Sequence, residues 1–276
     1  MALTLKHVDP TRGLRWVRDG FALFARRPLA FASMFVLFLM AALLLSLMPT
    51  LGGVLQMMML PLLSLGFMVA AQSALLGGPV GPSQFIEPLR ADAGKRRKLL
   101  LLCAIYGISA VAILLLCDHV SNNALHRLQM LMAKADAKPE DVYALLAEPG
   151  VFWGTVIASV LGSLLSVLFW HAPALVHWAG QGVAQAIYIS TLAVWRSKGA
   201  FTVYATVWML LVMLFGLVTA LFFDLIGLRQ MASAVALPSA LLFSTVFYIS
   251  VLFTFNDSFG GAAAATSDTI DSETTS

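Results

Sequence analysis

Side chains that could bind a metal ion lie close together at one place in the chain. Asp118, His119 and His126 are near neighbours, and the two histidines are seven positions apart, so a continuous helix would present both on one face. One carboxylate and two imidazoles are fewer than the four ligands of a structural zinc site. The pattern is more typical of a solvated helix end, and we predict no metal ion or other cofactor for this protein.

A second pair of histidines, His171 and His177, flanks Pro173 between two tryptophans, Trp170 and Trp178. Tryptophan is enriched where membrane proteins meet the bilayer interface, which explains the aromatic residues without a ligand. A ligand-binding or proton-carrying role for the two histidines is the alternative.

The sequence lacks the spaced motifs of common hydrolases. It has no His-Glu-x-x-His zinc motif and no Gly-x-Ser-x-Gly elbow. Asp19-Gly20 followed by Ala25-Arg26 partly matches the opening of the motif of phospholipid-headgroup transferases, but the spacing differs and no later pair of aspartates completes it. We therefore expect no enzymatic activity and no catalytic residue.

The elements that must position these side chains are long apolar segments. The chain is 60% hydrophobic and 11% charged, against about 25% charged residues in soluble proteins. A charge at the bilayer centre costs about 2.5–3.5 kcal/mol, and about 20 apolar residues are needed to cross the hydrocarbon core. The sequence has room for six such helices, over residues 29–48, 53–76, 99–117, 151–176, 200–223 and 235–255.

This spacing predicts an all-α, polytopic bundle in which six transmembrane helices form three hairpins. A cytoplasmic amphipathic segment over 1–28 precedes the membrane domain over 29–255, with a sizeable outer loop over 118–150. In that loop Leu125, Leu128 and Met132 indicate one short helix, and Pro139 opens another. The polar residues over 256–276 predict a disordered cytoplasmic tail. Cys103 and Cys117 are too far apart on one helix to form a disulfide.

Basic residues orient the bundle. Thirteen of the 17 lysines and arginines lie before the first span or in the loops after the second and fourth spans, and four lie on the opposite side. Because basic loops stay in the cytoplasm, both termini are predicted to be cytoplasmic. The basic residues adjoin apolar spans instead of forming one solvated face, so nucleic acid is not an expected partner.

Each hairpin begins with an amphipathic segment on the basic side. Before the first span Leu14, Val17, Phe21 and Phe24 recur at helical spacing, which predicts a helix lying in the membrane interface with its basic side toward anionic headgroups. Similar segments precede the third and fifth spans. The residues expected to contact lipid headgroups are Arg12, Arg15, Arg18, Arg26, Arg27, Lys95, Arg96, Arg97 and Lys98.

Small residues recur at every fourth position on the returning span of each hairpin. Such stripes let membrane helices approach closely, so they are predicted helix-packing faces for this chain, for a second copy or for another membrane protein. The stripes are Gly66, Ala70, Ala74 and Gly78; Gly154, Ala158, Gly162 and Ser166; and Ala232, Ala236, Ala240 and Ser244. Inside the spans, Gln56 and Gln72 are predicted to form interhelical hydrogen bonds.

Several segments carry a resemblance to known proteins. They are Gly13-Leu14-Arg15-Trp16, residues 20–24 and 28–31, Lys98-Leu99-Leu100 with Ile105-Tyr106, residues 169–176, and Trp195-Arg196 with residues 199–204. In these segments the sequence resembles an uncharacterised family of bacterial six-span inner-membrane proteins. It is more distantly similar to the membrane domain of bacterial glycerophosphodiester phosphodiesterases, which carries no catalytic residues. The resemblance implies location and architecture, and it transfers no active site.

The leading hypothesis is an integral inner-membrane protein without enzymatic activity, with a structural, envelope-maintenance or lipid-interacting role. A transporter or channel for a lipid-like or uncharged solute is the first alternative, because the spans carry no ionisable group suited to ion coupling. An accessory subunit of a membrane complex is the second.

Overall fold

Helices form the whole of the regular structure in the described part of the chain. The computed structural model describes residues 5–48, 51–90, 92–132 and 138–260, and the side chains of 139 and 229–233 are not described. Within these residues the helices are α1 (Arg12–Arg26), α2 (Pro28–Ser46), α3 (Leu51–Leu75), α4 (Ser83–Arg90), α5 (Ala93–Val120), α6 (Ala124–Met132), α7 (Pro139–Leu146), α8 (Pro149–Phe169), α9 (Ala172–Ala179), α10 (Val183–Arg196), α11 (Lys198–Leu225) and α12 (Arg229–Phe259).

Six stretches of these helices are long and apolar enough to cross a membrane, as predicted. They are Pro28–Ser46, Leu51–Leu75, Ala93–Val120, Pro149–Ala179, Lys198–Leu225 and Ala234–Phe259. Large apolar side chains stay exposed along them, among them Leu43 on α2, Leu115 on α5 and Leu221 on α11. Lipid is the environment in which such exposure has no hydrophobic cost. The all-α, six-span prediction is confirmed.

The fourth span is broken, where the sequence predicted one helix over 151–176. Helix α8 ends at Phe169 and α9 begins at Ala172, with Pro173 in its first turn. Proline has no N–H to donate and its ring clashes with the carbonyl four residues earlier, so an unbroken helix is disfavoured at this point. Pro61 and Pro238, in contrast, lie inside continuous helices.

The last span is longer than predicted. Residues 256–259 were assigned to a disordered tail, but α12 continues to Phe259 and ends at Gly260, whose left-handed φ of 87° closes the helix. Tertiary contacts explain the extension: the Asp257 carboxylate is bound by α1, and the Ser258 carbonyl accepts a hydrogen bond from the backbone of Lys6 at 2.9 Å. Residues 261–276, the rest of the predicted tail, lie outside the described residues.

A short helix precedes each outgoing span, and the three short helices pack in the same way. Helix α4 packs against α3, and α10 packs against α8, so each contacts the returning span of the hairpin before it. Helix α1 packs against α12, the returning span of the last hairpin. The three contacts therefore form a closed ring, which is the arrangement expected of three related units.

Helix α1 packs one face into the protein core, whereas the sequence predicted that its apolar face contacts lipid in the membrane interface. Trp16 is fully buried and Val17 is nearly so, whereas Leu14 is 56% exposed. Glycines make this packing possible: a Cβ on Gly13 would lie 2.4 Å from the Ala200 carbonyl oxygen of α11. The apolar face of α1 is thus covered by α11 and α12 instead of by lipid.

The segment between the third and fourth spans folds into the two short helices that the sequence predicted, α6 and α7. Arg127 of α6 forms an ion pair with Glu148, just before α8, at 2.6 Å. Cys103 and Cys117 are buried and not bonded to each other. The predicted interhelical bond of Gln56 is confirmed by its 2.6 Å hydrogen bond to the Ala42 carbonyl of α2, whereas Gln72 has no such side-chain bond to a described residue.

Candidate functional site

An ion pair ties the first helix to the last at the end of the bundle where the described chain begins and ends. Arg12 donates from Nε and Nη2 to the two oxygens of Asp257, at 2.6 and 2.8 Å, and the indole Nε1 of Trp16 donates to Oδ2 at 2.7 Å. The bond to Asp257 raises the pKa of the Arg12 guanidinium above its ordinary value. Arg12 was a predicted headgroup ligand, but its charge is already matched within the protein.

Two more of the predicted headgroup ligands are bound by the protein itself. Arg27 donates to the carbonyl of Gly78, and Lys98 donates to the carbonyl of Gly180 at 2.9 Å. These bonds tie loops of the same end to α2 and α5. They orient the side chains toward protein, so they correct the prediction for these two residues.

The remaining basic residues of this end stay accessible. Arg15, Arg18, Arg26, Arg96 and Arg97 are exposed, and none forms an ion pair with a described residue. Lys95 is half-buried. The structure thus reduces the nine predicted headgroup residues to five exposed guanidinium groups around α1 and the start of α5.

Polar residues hold the break in the fourth span. His171 is fully buried, its backbone N–H donates to Ser190 Oγ at 2.9 Å, and its Nε2 lies 3.0 Å from Thr254 Oγ1. The Thr254 hydroxyl donates to Val251 O at 2.7 Å, so it accepts from His171, which must carry its hydrogen on Nε2. Trp170 Nε1 also donates to this hydroxyl, at 3.1 Å.

These contacts define a role for His171. They join the α8–α9 break to α10 through Ser190 and to α12 through Thr254. The ring of His171 packs edge-on against Phe255 and Phe259. Its Nδ1 is buried and has no hydrogen-bond partner among the described residues. His171 therefore fixes the geometry of the broken span, and no described metal-type ligands cluster around it.

A small cavity lies next to this break, inside the bundle. Its volume is about 120 Å³, and α3, α5, α8 and α12 enclose it. Apolar rings and chains form most of its wall, with four hydroxyl-bearing side chains among them: Ser64, Tyr106, Ser166 and Tyr248. We call this the inner cavity. It can accept hydrogen-bonding groups, and the residues that line it carry no charge.

A larger cavity of about 710 Å³ opens at the opposite end of the bundle, between α3, α5, α6 and α8. We call this the outer cavity. Val54, Met57 and Leu115 are among its apolar lining, and its polar lining is concentrated near α6. The polar groups include Asp118, His126 and Gln129, together with Thr155 and Ser159 of α8. The predicted cluster around Asp118 thus keeps His126, while His119 is exposed and does not line the cavity.

The two cavities are lined by the same faces of α3 and α8. On α3 the outer cavity is lined by Met57 and the inner one by Pro61, four positions on. On α8 Ser159 lines the outer cavity and Ser166 the inner one, and between them Gly162 is exposed with no atom within 4 Å of an added Cβ. The cavities therefore follow one another between α3 and α8, with residues of α5 beside both, and we call this region the α3/α8 groove.

Only part of the small-residue stripe on α8 packs against another helix of the described chain. Gly154 packs closely, since an added Cβ would lie 2.8 Å from Leu125 Cδ1 of α6. Ala158 lines the outer cavity, and Gly162 and Ser166 are exposed. The inner part of this stripe is therefore not covered by the described part of this chain, and its packing against a second copy or another membrane protein stays a prediction.

The other two stripes are divided in the same way. On α3 Gly66 lies against the ring of Phe85 from α4, and Ala70 is fully buried, so these two positions do allow close packing. Ala74 is half-buried, and Gly78 follows the end of α3.

On α12 Ala236 and Ala240 are exposed and Ser244 is half-buried, because α1, α3 and α11 cover mainly the later part of this helix. The side chain of Ala232 lies outside the described set. Within the described residues the exposed positions are left open to lipid or to another molecule.

Sequence reasoning missed the residues that pack α1. Gly13 and Gly20 lie seven positions apart on its buried face, and a Cβ on Gly20 would be 2.8 Å from Ser250 Cβ of α12. Trp16 sits between them in a cluster of aromatic rings, 5.2 Å from Phe201 and 5.8 Å from Tyr204. The sequence feature that could have indicated this packing is the pair of glycines on either side of a tryptophan. An analysis of hydrophobic periodicity does not detect such a feature.

Comparison with known proteins supports the membrane assignment. Over 259 residues, which are 94% of each chain, the sequence is 29% identical to a probable inner membrane protein of Burkholderia thailandensis. No family model matches the chain, and no solved structure matches it. The expected likeness to bacterial inner-membrane proteins is confirmed, whereas the likeness to the membrane domain of glycerophosphodiester phosphodiesterases has no support. With its six apolar spans, the chain is an integral, multi-pass protein of the inner membrane.

Proposed function

We propose that this protein has a non-enzymatic, lipid-interacting role in the inner membrane, with its basic end in the cytoplasm. The observation that carries the proposal is the set of seven exposed arginines at one end of a bundle whose sides are apolar: the five above with Arg90 and Arg196. Thirteen of the 17 basic residues belong to the loops and termini of this end. The positive-inside rule supports its cytoplasmic location, and a reporter fused to the C-terminus would test that location.

The exposed arginines are placed to contact anionic headgroups. Each basic residue near an anionic membrane surface gains about 1 kcal/mol, and the gain decreases beyond a Debye length of about 8 Å at physiological salt. Arg15 and Arg18 extend from α1, which is fixed to the bundle by Trp16 and Asp257. Because the helix is docked, the backbone that carries the two side chains is fixed, which lowers the entropy cost of binding a headgroup.

A quenching experiment tests this role. The purified protein is reconstituted with brominated phosphatidylglycerol or brominated phosphatidylcholine, and tryptophan quenching reports which lipid is enriched at the protein surface. Trp195 is the penultimate residue of α10, at the basic end. It is 71% exposed, so it is a suitable reporter. We expect enrichment of the anionic lipid that falls steeply with added salt.

The variant and its control make the test specific. Replacing Arg15, Arg18, Arg96 and Arg97 with glutamine should remove most of the preference for anionic lipid. Replacing Arg127 with glutamine, at the other end, should leave the preference unchanged. If the quadruple variant enriches phosphatidylglycerol around Trp195 as strongly as the unmodified protein does, the proposal is wrong.

The broken fourth span favours one second candidate, a carrier for a lipid-like or uncharged solute. Discontinuous helices near the middle of a bundle often form transport sites. Here the break at His171 lies beside the inner cavity, whose lining is uncharged. Flux of a fluorescent lipid across proteoliposome leaflets would support this candidate, and flux that depends on a proton gradient would contradict the uncharged pathway.

A further inference from the structure

The α3/α8 groove has the length of a single acyl chain. Along α5 it extends from Asp118 to Tyr106, which is about 18 Å at the helical rise of about 1.5 Å per residue. One leaflet contributes about half of a hydrocarbon core that is roughly 30 Å thick. The groove is therefore about as deep as one leaflet, starting from the end opposite the chain termini.

The groove is open to the side as well as at its end. Gly162 of α8 is exposed, and no atom lies within 4 Å of the position that a Cβ would take there. In contrast, α3 is closely packed on α5, where a Cβ on Gly107 would lie 2.3 Å from Met58 Cγ. A lipid could thus enter the groove laterally from the surrounding leaflet without displacing a helix.

The mouth of the groove presents an acceptor that lacks a donor. Asp118 lines the outer cavity, and its Oδ1 is shielded from solvent without a hydrogen-bond partner among the described residues. A shielded carboxylate oxygen without a donor is unfavourable, so a rotation of the carboxyl group that brings it to a charged donor in the cavity is favoured. Asp118 also lies in the last turn of α5, where the helix dipole favours positive charge.

The surroundings of Asp118 leave its charge unmatched. Arg127, the basic residue of α6, is bound to Glu148 at 2.6 Å. The described residues that line the outer cavity include no lysine or arginine, and His126 and Gln129 complete the polar lining beside the carboxylate. An anionic headgroup would meet this carboxylate with no cation to balance it.

We propose that the α3/α8 groove binds one phospholipid whose head carries a primary ammonium group. The ammonium donates to Asp118, and one acyl chain lies along α5 toward the inner cavity. This site differs in position and charge from the basic end, so it does not depend on the proposed binding of anionic lipid. The proposal needs only that the protein spans the membrane.

Native mass spectrometry of the detergent-purified, full-length protein tests the proposal. The protein is titrated with phosphatidylethanolamine, phosphatidylcholine and phosphatidylglycerol of the same chain length. We expect one retained phosphatidylethanolamine, bound more tightly than the other two, because the quaternary ammonium of phosphatidylcholine has no hydrogen to donate and phosphatidylglycerol lacks the cation. Equal retention of the three lipids would overturn the proposal, as would a mass showing that a second copy of the chain displaces the lipid.

Three variants distinguish binding of the lipid headgroup from binding of the acyl chain. Asp118→Asn should weaken retention of phosphatidylethanolamine at least about tenfold, whereas Glu140→Gln, an exposed acid of α7, should not change it. Gly162→Leu should fill the groove and weaken retention of all three lipids, with an unchanged melting temperature as evidence of folding. Unchanged phosphatidylethanolamine binding in Asp118→Asn or in Gly162→Leu would refute the assignment. The arginine-to-glutamine variant of the basic end should retain phosphatidylethanolamine normally, so failure of either proposal is distinguishable from failure of the other.

Discussion

The bond network of Asp257 predicts that one carboxylate holds the first helix on the bundle. Arg12 and Asp257 are 32% and 24% exposed, so their ion pair alone should contribute close to the surface value of about 1 kcal/mol. Trp16 is fully buried, and removing its acceptor leaves an unpaired indole N–H at a cost of about 1–3 kcal/mol. Asp257→Ala should therefore destabilise the docked state of α1 by about 2–4 kcal/mol.

Asp257→Asn provides a graded comparison. The amide keeps an oxygen that can accept from Trp16 and loses only the charge that matches Arg12. Its cost should be about 1 kcal/mol, the value of a partly exposed ion pair. The two variants together separate the charge from the acceptor.

Limited proteolysis measures this docking. Arg15 and Arg18 are exposed trypsin sites on α1, but cleavage requires the helix to open. When opening and closing are fast relative to cleavage, the cleavage rate follows the population of the open form. Since 1.4 kcal/mol corresponds to a factor of ten, Asp257→Ala should be cleaved at these sites roughly 30 to 700 times faster.

The other ion pair of the described chain is a matched control. Arg127 and Glu148 are 49% and 37% exposed and involve no buried donor, so Glu148→Ala should cost no more than about 1 kcal/mol and should not affect cleavage in α1. Equal cleavage rates in Asp257→Ala and the unmodified protein would refute the reasoning. If Asp257→Asn increased cleavage in α1 as much as Asp257→Ala, the hydrogen bond that Trp16 donates to residue 257 would make no measurable contribution to docking.

Two further predictions follow from the same packing. Gly20→Leu should prevent α1 from docking and strongly lower the melting temperature, because even a Cβ there would lie 2.8 Å from Ser250 Cβ. The control, Gly162→Leu, should leave folding intact. Equal melting temperatures of the two variants would contradict the close contact at Gly20. A chain ending at Asn256 lacks Asp257 and should show rapid trypsin cleavage in α1. A chain ending at Gly260 keeps every described contact of Asp257 and should resist cleavage. Similar protection of both chains would exclude Asp257 as the residue that anchors α1.

The spans were predictable because their signal is local. A run of apolar residues bounded by charges reports its membrane location regardless of its neighbours. The same holds for α6 and α7, where Pro139 marks a helix start. The break in the fourth span was only partly predictable, since Pro61 and Pro238 occur in continuous helices and nothing near Pro173 in the sequence distinguishes it.

The site was less predictable because its determinants are tertiary. On α1 the apolar pattern pointed to a face with Leu14, but the buried face is the one on which Gly13 and Gly20 let the backbone approach α11 and α12. Asp257 lies in a polar stretch that is typical of a tail, and its partner Arg12 is 245 positions away. Neither residue shows the pairing through its own neighbours in the sequence.

The ring of short helices explains why the bond of Asp257 falls where it does. Helices α4 and α10 each contact a span that precedes them, so their contacts can form as soon as the helix is made. Helix α1 is made before its partners α11 and α12, so its buried face is not fully covered until the fifth and sixth spans are in place. Closing so long a loop is the step with the largest entropy cost, and its contacts must offset that cost. A buried tryptophan, two closely packed glycines and an ion pair are concentrated at this one contact of the ring, whereas α4 meets α3 through a phenylalanine on a glycine.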